Sequence, residues 1–379
     1  MYARHLSPSP PRLDRLALLA LLFGACTPAE EDVPDPCAAI GVICTTVGTG
    51  NLGFNGDGRP ADETYFYWTQ AVQFDLEGRL VVADMNNYRV RRVTDAGTVE
   101  TLLGNGFHLS STAGLRATDS PVDFPADIQF LPDGSFYVAA IHENRVLWVD
   151  TDSIVNVVIG DGNEGYTGDG RPAAKAQLAG PAGLALAEDG TLYVADTLNH
   201  VIRVVTTDGN INTLAGRGIA GYGGDGGPAI GALLHNPTGL ALVGDTLYVA
   251  DSFNHVIRAI DLVDDTIRTV VGNGARGYSG DGGDALSATL YAPEGVTLAP
   301  DDTLWVADSG NHALRRILAD GTIETVAGNG LAAYTGDAGP CEDAELNYPV
   351  DLRFDDRGNL YLADMVNGAV RVIHGASAW

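Results

Sequence analysis

The chain of 379 residues is poor in lysine, methionine and tryptophan: Lys175 is its single lysine, with three methionines and four tryptophans. Nearly all positive charge is therefore arginine, and 22 basic residues face 49 acidic ones for a formal charge of −27. Affinity for nucleic acid rests on neutralising phosphates with Lys and Arg, so this balance argues against a polyanionic partner. Long apolar runs are also lacking. The stretch LALLALLF at 16–23 is too short to cross a bilayer, and no later run exceeds it. No phosphate loop, G-x-S-x-G elbow or zinc-spaced His/Cys cluster can be read from the sequence, which removes the signatures of several enzyme classes. In abundance are 48 glycines and 18 prolines within a chain that is 45% hydrophobic. That combination excludes wholesale disorder and a helical bundle, and suits a turn-dense β-protein with a large core.

Arg4, Arg12 and Arg15 precede the apolar run at 16–23, and Gly24-Ala25 follow it. A basic region, a short apolar stretch and small residues make a secretory signal, placed at residues 1–25. The string FGAC at 23–26 resembles a bacterial lipobox, which implies that Cys26 is acylated and becomes the mature N-terminus. Two or three acyl chains anchor a protein stably where one does not. Thr27 after the cysteine resembles lipoproteins sent to the outer membrane; the alternative is cleavage near Ala25 or Ala29 and a free secreted or periplasmic protein. Residues 26–43, acidic and proline-rich at TPAEEDVPDP, read as an extended tether. The expected address is extracytoplasmic, with membrane contact through the lipid anchor only.

Six copies of one unit fill residues 44–379. The string YVAD or a near variant ends at Asp84, Asp196, Asp251, Asp308 and Asp364, and YVAA ends at Ala140, with successive spacings of 55 to 57 residues. A second string, G-[Phe/Tyr]-x-G-D-G, recurs at 53–58, 165–170, 221–226 and 277–282, with AYTGDA at 333–338. Self-similarity at a fixed period signals a repeat architecture. Within the third unit, GLALA (183–187), TLYVAD (191–196), HVIRVVT (200–206) and INTLAG (211–216) are short β-rich runs separated by Asp-Gly or Asn turns. That pattern predicts a four-stranded antiparallel meander. Such a sheet exposes two faces, and radial packing against its copies buries both. The fold class is all-β, a six-bladed β-propeller. The sixth unit ends without its I-x-T-V-A-G strand, and CTTVG at 44–48 supplies it, so the N-terminal strand is expected to close the last blade.

The strings YVADTLNHVIRVV (193–205), YVADSFNHVIRAI (248–260) and WVADSGNHALRRI (305–317) resemble NHL repeats, with Asn-His-Val or Asn-His-Ala for the family's Asn-His-Leu. The inserts carrying GDG are similar to the NHL propeller of teneurins and of secreted bacterial relatives. The resemblance covers residues 44–374 and implies the fold more than a function, because propellers host unrelated activities.

Each VAD aspartate stands seven residues before an arginine: Asp84/Arg91, Asp196/Arg203, Asp251/Arg258, Asp308/Arg315 and Asp364/Arg371. The second unit has Ala140 and Leu147 there, Glu143 in place of the Asn, and no GDG in its loop FHLSSTAGLRA (107–117). Joint loss in one unit predicts one coupled structural network tying the strand 2–3 turn to the GDG loop, within a blade or across neighbours. His200, His255 and His312 recur a blade apart and read as turn-packing residues, since metal ligands must converge. The GDG loops read as glycine-permitted turns. No cofactor is expected; a divalent cation such as calcium is the alternative reading of these loops, which lack the alternating acidic run of an EF-hand.

Asymmetry marks a candidate site. First strands open Pro-x-Gly in the third and fourth units, but Asp127 (PAD), Glu294 (PEG) and Asp351 (PVD) place carboxylates near the channel mouth. The PEG string resembles the glutamate of gluconolactonase-type propellers, which implies a metal-dependent hydrolase or lyase as the alternative function. The leading expectation is a non-enzymatic binding or scaffold protein for a protein or glycan ligand. With Cys26 lipidated, Cys37, Cys44 and Cys341 remain. Cys341 is expected on the face opposite Cys44, about 15 Å away at 3.3 Å per residue, so Cys37–Cys44 is the predicted disulfide and Cys341 is free.

Overall fold

The computed structural model describes residues 35–378. The signal segment, Cys26 and residues 27–34 of the tether lie outside the described residues. Extended runs such as Leu192–Asp196 are buried at every position, because each sheet has a neighbour on both faces. The third blade is the meander Pro181–Leu186, Leu192–Asp196, Val201–Val205 and Asn210–Ala215, antiparallel throughout. Five further sheets repeat it, and their first strands are Thr69–Phe74, Pro125–Phe130, Pro237–Val243, Gly295–Leu298 and Pro349–Phe354. Each first strand touches the first strands of the blades before and after it, and Thr69–Phe74 touches Pro349–Phe354. The ring is therefore closed, with six blades around one axis. Every helical segment among the described residues is a three-residue 3-10 turn. Aliphatic clusters fill the seams between blades, as where Ala195 and Ile202 of the third meet Leu240 and Val249 of the fourth.

Closure comes from the N-terminal segment. Val42–Val47 pairs antiparallel with Ala369–Ile373, setting Cys44 opposite Val372 and Thr45 opposite Arg371. The strand begins two residues before the CTTVG run, because Val42 and Ile43 also pair on their other side with Pro340 and Gly339. The disulfide Cys37–Cys44 is present, with Cα atoms 5.8 Å apart, and Cys341 is a buried free thiol. The reason expected for that pairing needs correction. Cys341 does not sit at the far face: its N–H and its Sγ both approach the carbonyl of Gly41, at 3.1 and 3.0 Å. The insert before each first strand doubles back along the outer strand of its own blade instead of crossing at one face. In the other five blades an alanine fills the place of Cys341, at Ala61, Ala117, Ala173, Ala229 and Ala285, each accepting the N–H of the glycine that follows an outer strand.

Candidate functional site

The repeated Asp, Asn and Arg converge in every blade that carries them. In the third, Arg203 is wholly buried, with Nη1 3.3 Å from Asp196 and Nη2 2.6 Å from Asp169 of the GDG string. Asn199 donates to Asp196 at 2.9 Å and to the Gly165 carbonyl at 2.7 Å, while the Ala179 N–H donates to Asp196 at 2.7 Å. Tyr166, the aromatic of the string, lies against the guanidinium at 5.3 Å. Equivalent pairs join Arg91 to Asp84 and Asp57, Arg258 to Asp251 and Asp225, Arg315 to Asp308 and Asp281, and Arg371 to Asp364 and Asp337. The clasp stays within one blade, linking its insert to its second and third strands. Burial pushes Asp84, Asp196, Asp251, Asp308 and Asp364 up to about 6, against the arginine and the N–H donors that favour the charged form.

The second blade solves the same problem differently. Glu143 reaches from the asparagine position to accept the Asp123 N–H at 3.0 Å, the bond that the VAD aspartate accepts elsewhere, and the Ser111 hydroxyl donates to its other oxygen. The histidines of the Asn-His strings prove to be links between blades. Nδ1 of His200, His255 and His312 accepts the N–H of Asn236, Ala292 and Tyr348 in the following blade, at 3.1–3.2 Å. Only a neutral ring can accept there, and burial holds all three below the ordinary histidine value.

Asp127, Glu294 and Asp351 border one small space on the axis, where each is engaged by different partners. Asp127 accepts the Leu184 N–H at 2.7 Å and Asp351 accepts the Val72 N–H at 2.9 Å, each from the following blade. Between the two stands Arg353, 3.7 Å from Asp127 and 3.5 Å from Asp351. Burial raises both carboxyls, Asp127 to about 7, despite that arginine. Glu294 is set apart, accepting the Tyr348 hydroxyl at 2.7 Å. The space these residues share is about 30 Å³, room for one or two waters. Beyond Arg353 a second hollow of about 230 Å³ opens between Gln129, Leu184, Leu240 and Leu298. Glycine at 183, 239 and 295 is required by close packing, since a Cβ there would stand 2.0–2.5 Å from a carbonyl oxygen of the next blade. Asp127 and Asp351 take the place of those glycines and bridge a wider seam.

Sequence reasoning missed Arg353, although a lone arginine among Gln73, Gln129, Ala185, Ala241 and Thr297 at equivalent positions was the available signal. It also missed a donor cluster. Among the described residues, the group of three His, Cys, Asp or Glu whose ligand atoms all lie within 4.8 Å of one another is His108, Asp123 and His142. The three residues follow no metal-ligand spacing in the sequence and are brought together by the fold.

A closed ring of six sheets built on four-stranded meanders, each locked by a buried Asp–Arg clasp or its glutamate substitute, defines a six-bladed β-propeller with long inserts. The teneurin NHL domain model matches residues 150–221, and the NHL repeat model matches residues 290–317. The chain is an NHL-repeat propeller. It is 29% identical over 270 residues to Protein SUPPRESSOR OF QUENCHING 1, chloroplastic, of Arabidopsis thaliana, covering 68% of this chain and 25% of that protein. With Teneurin-3 of Danio rerio it shares 28% identity over 346 residues, 80% of this chain and 12% of the relative. The chain thus spans a quarter or less of these two proteins. The crystal structure of an auxiliary nutrient binding protein from Bacteroides thetaiotaomicron has the same fold, with a TM-score of 0.64, 16% identity, and coverage of 87% of this chain and 75% of that one.

Proposed function

We propose that the protein is a non-enzymatic binding platform, tethered through Cys26 outside the cytoplasm, that offers one face of its propeller to a protein or glycan ligand. The observation that carries this reading is the narrow axis: Asp127, Asp351 and Glu294 are engaged by neighbouring N–H groups, Arg353 and Tyr348 around a space of about 30 Å³. The outer face is furnished differently. Phe107, Leu109, Ile219 and Leu331 follow the outer strands, and Leu198 and Phe253 occupy strand 2–3 turns; all six are at least half exposed. Outer-strand ends and strand 2–3 turns lie at the same end of an antiparallel blade, so these side chains share one face. Exposed apolar groups gathered this way suit a macromolecular partner. The neighbour described as a nutrient binding protein is in keeping with a binding role on this fold.

The test pairs two surfaces. Envelope proteins and glycans are screened against the immobilised propeller, and a ligand retained by the wild type is then offered to Phe107→Ser/Leu109→Ser/Leu331→Ser. Loss of binding in that variant, with retention by Leu76→Ser in an opposite-face turn, is the expected result. Equal binding by both variants removes the proposed face. A labelled acyl chain released from any residue other than Cys26 removes the anchor.

A further inference from the structure

We propose that His108, Asp123 and His142 form a binding site for a divalent first-row transition metal, zinc foremost, on the turn-bearing face of the second blade. His108 Nε2 lies 3.1 Å and His142 Nδ1 3.7 Å from Asp123 Oδ1. Ligands about 2.0–2.1 Å from a tetrahedral zinc stand roughly 3.3 Å from one another, so the two distances bracket what the ion requires. Asp123 is 8% exposed, and its Oδ1 is buried without an aligned hydrogen-bond donor. An acceptor held that way has lost its hydration, and the poorly aligned His108 Nε2 at 3.1 Å replaces it only in part; a cation between the two rings would supply the rest.

The surroundings fix all three donors. The Asp123 N–H is anchored on Glu143, which is itself held by Ser111. His108 stacks on Tyr88 with centroids 5.0 Å apart and 7° between planes, and His142 stacks on Phe124 at 3.8 Å. Outer contacts of this kind orient metal ligands. Both imidazoles are about half exposed on their outer sides, so three protein ligands leave further coordination positions facing solvent. Two nitrogens and one carboxylate oxygen fit zinc, cobalt or nickel, and fall far short of the six to eight oxygens calcium takes.

Position within the repeat strengthens the assignment. At the place of His142 the other blades carry Asn86, Leu198, Phe253, Gly310 and Val366, and at the place of Asp123 they carry Tyr67, Ala179, His235, Tyr291 and Asn347. The donor set therefore belongs to one blade, the same blade that abandoned the Asp–Arg clasp. This site lies on the same face as the binding surface proposed above, with His108 between Phe107 and Leu109 and His142 at the turn position of Leu198 and Phe253, but it is argued from its own donor geometry and does not rest on that proposal.

Zinc alone, titrated calorimetrically into the purified chain in a buffer free of phosphate and chelators, tests the assignment. One saturable equivalent is expected. His108→Phe and His142→Phe, which preserve the ring stacking, are each expected to weaken it by more than the about 10–100-fold that follows loss of an outer partner. Asp123→Asn is expected to do the same. Cobalt in the same site is expected to show ligand-field absorption that disappears in these variants. Absence of a saturable equivalent, or an unchanged affinity in both histidine variants with unaltered thermal unfolding, overturns the proposal and leaves only diffuse attraction to an acidic surface.

Discussion

A guanidinium removed from water costs several kcal/mol unless charge and hydrogen bonds replace what it loses. Arg203 is buried to its last atom, and its compensation comes from two aspartates, one on each side, with Tyr166 over its face. Removing the arginine alone leaves Asp196 buried beside N–H donors but without its counter-charge. We therefore expect Arg203→Leu to cost about 3–5 kcal/mol, the range for breaking one partner of a buried pair. The second blade shows how the whole device can be dispensed with: Ala140 and Leu147 replace the pair, and Glu143 takes the backbone N–H. Copying that solution, as Asp196→Ala/Asn199→Glu/Arg203→Leu, should recover a good part of what the single change loses. Urea unfolding of the wild type, the single and the triple variant measures this directly. A triple variant less stable than Arg203→Leu would mean that the clasp is not a self-contained unit.

At the level of strands, the N-terminal segment is an interior strand and not an edge. Val42–Val47 lies between Ala369–Ile373 and the short Gly339–Pro340 pairing, and the Cys37–Cys44 staple fixes its start. Its deletion should abolish cooperative unfolding, since the sixth blade would lose its outer strand and the docking strip for residue 341. Cys341→Ala, by contrast, should shift stability by less than about 1 kcal/mol, because Ala already fills that place in the five other blades and the change removes only a buried thiol of small volume. Thermal unfolding of both variants decides the matter: a closed ring that survives loss of 42–47 would show that the terminal pairing is dispensable. Closure was legible beforehand, because a repeat lacking its last strand and a stray matching strand at the other end of the chain admit one economical solution. The place of Cys341 was not. Repeat spacing says how many strands there are, but it carries no information on whether the insert at 328–348 crosses a face or folds back along an outer strand.

For the ring as a whole, the same limit explains which site residues could be read in advance. The five Asp–Arg pairs stood out because identical spacing recurred, whereas Arg353 and the His108–Asp123–His142 group depend on blades far apart in sequence coming round to meet, or on an insert that departs from the pattern. What the ring adds up to electrostatically can also be tested. Five clasp aspartates are pushed up to about 6 and Asp127 to about 7 by burial, from an ordinary value of 3.8. A group whose folded value is raised binds more protons folded than unfolded, so its contribution is full below 3.8 and is lost as pH rises through 6 to 7. His200, His255 and His312 act in the other sense, since burial lowers them from 6.5 and their protonation breaks an inter-blade bond as pH falls. Six carboxyls outweigh three imidazoles, and the formal charge of −27 relaxes in the same direction as carboxylates take up protons. We expect Tm to rise on the order of a few °C between pH 7.5 and pH 5, before acid unfolding sets in at lower pH. Calorimetry across that interval at constant ionic strength is the measurement. A steady fall in Tm from pH 7.5 to 5 would show that the clasp aspartates keep ordinary carboxylate values, their arginines and N–H donors having fully offset the burial.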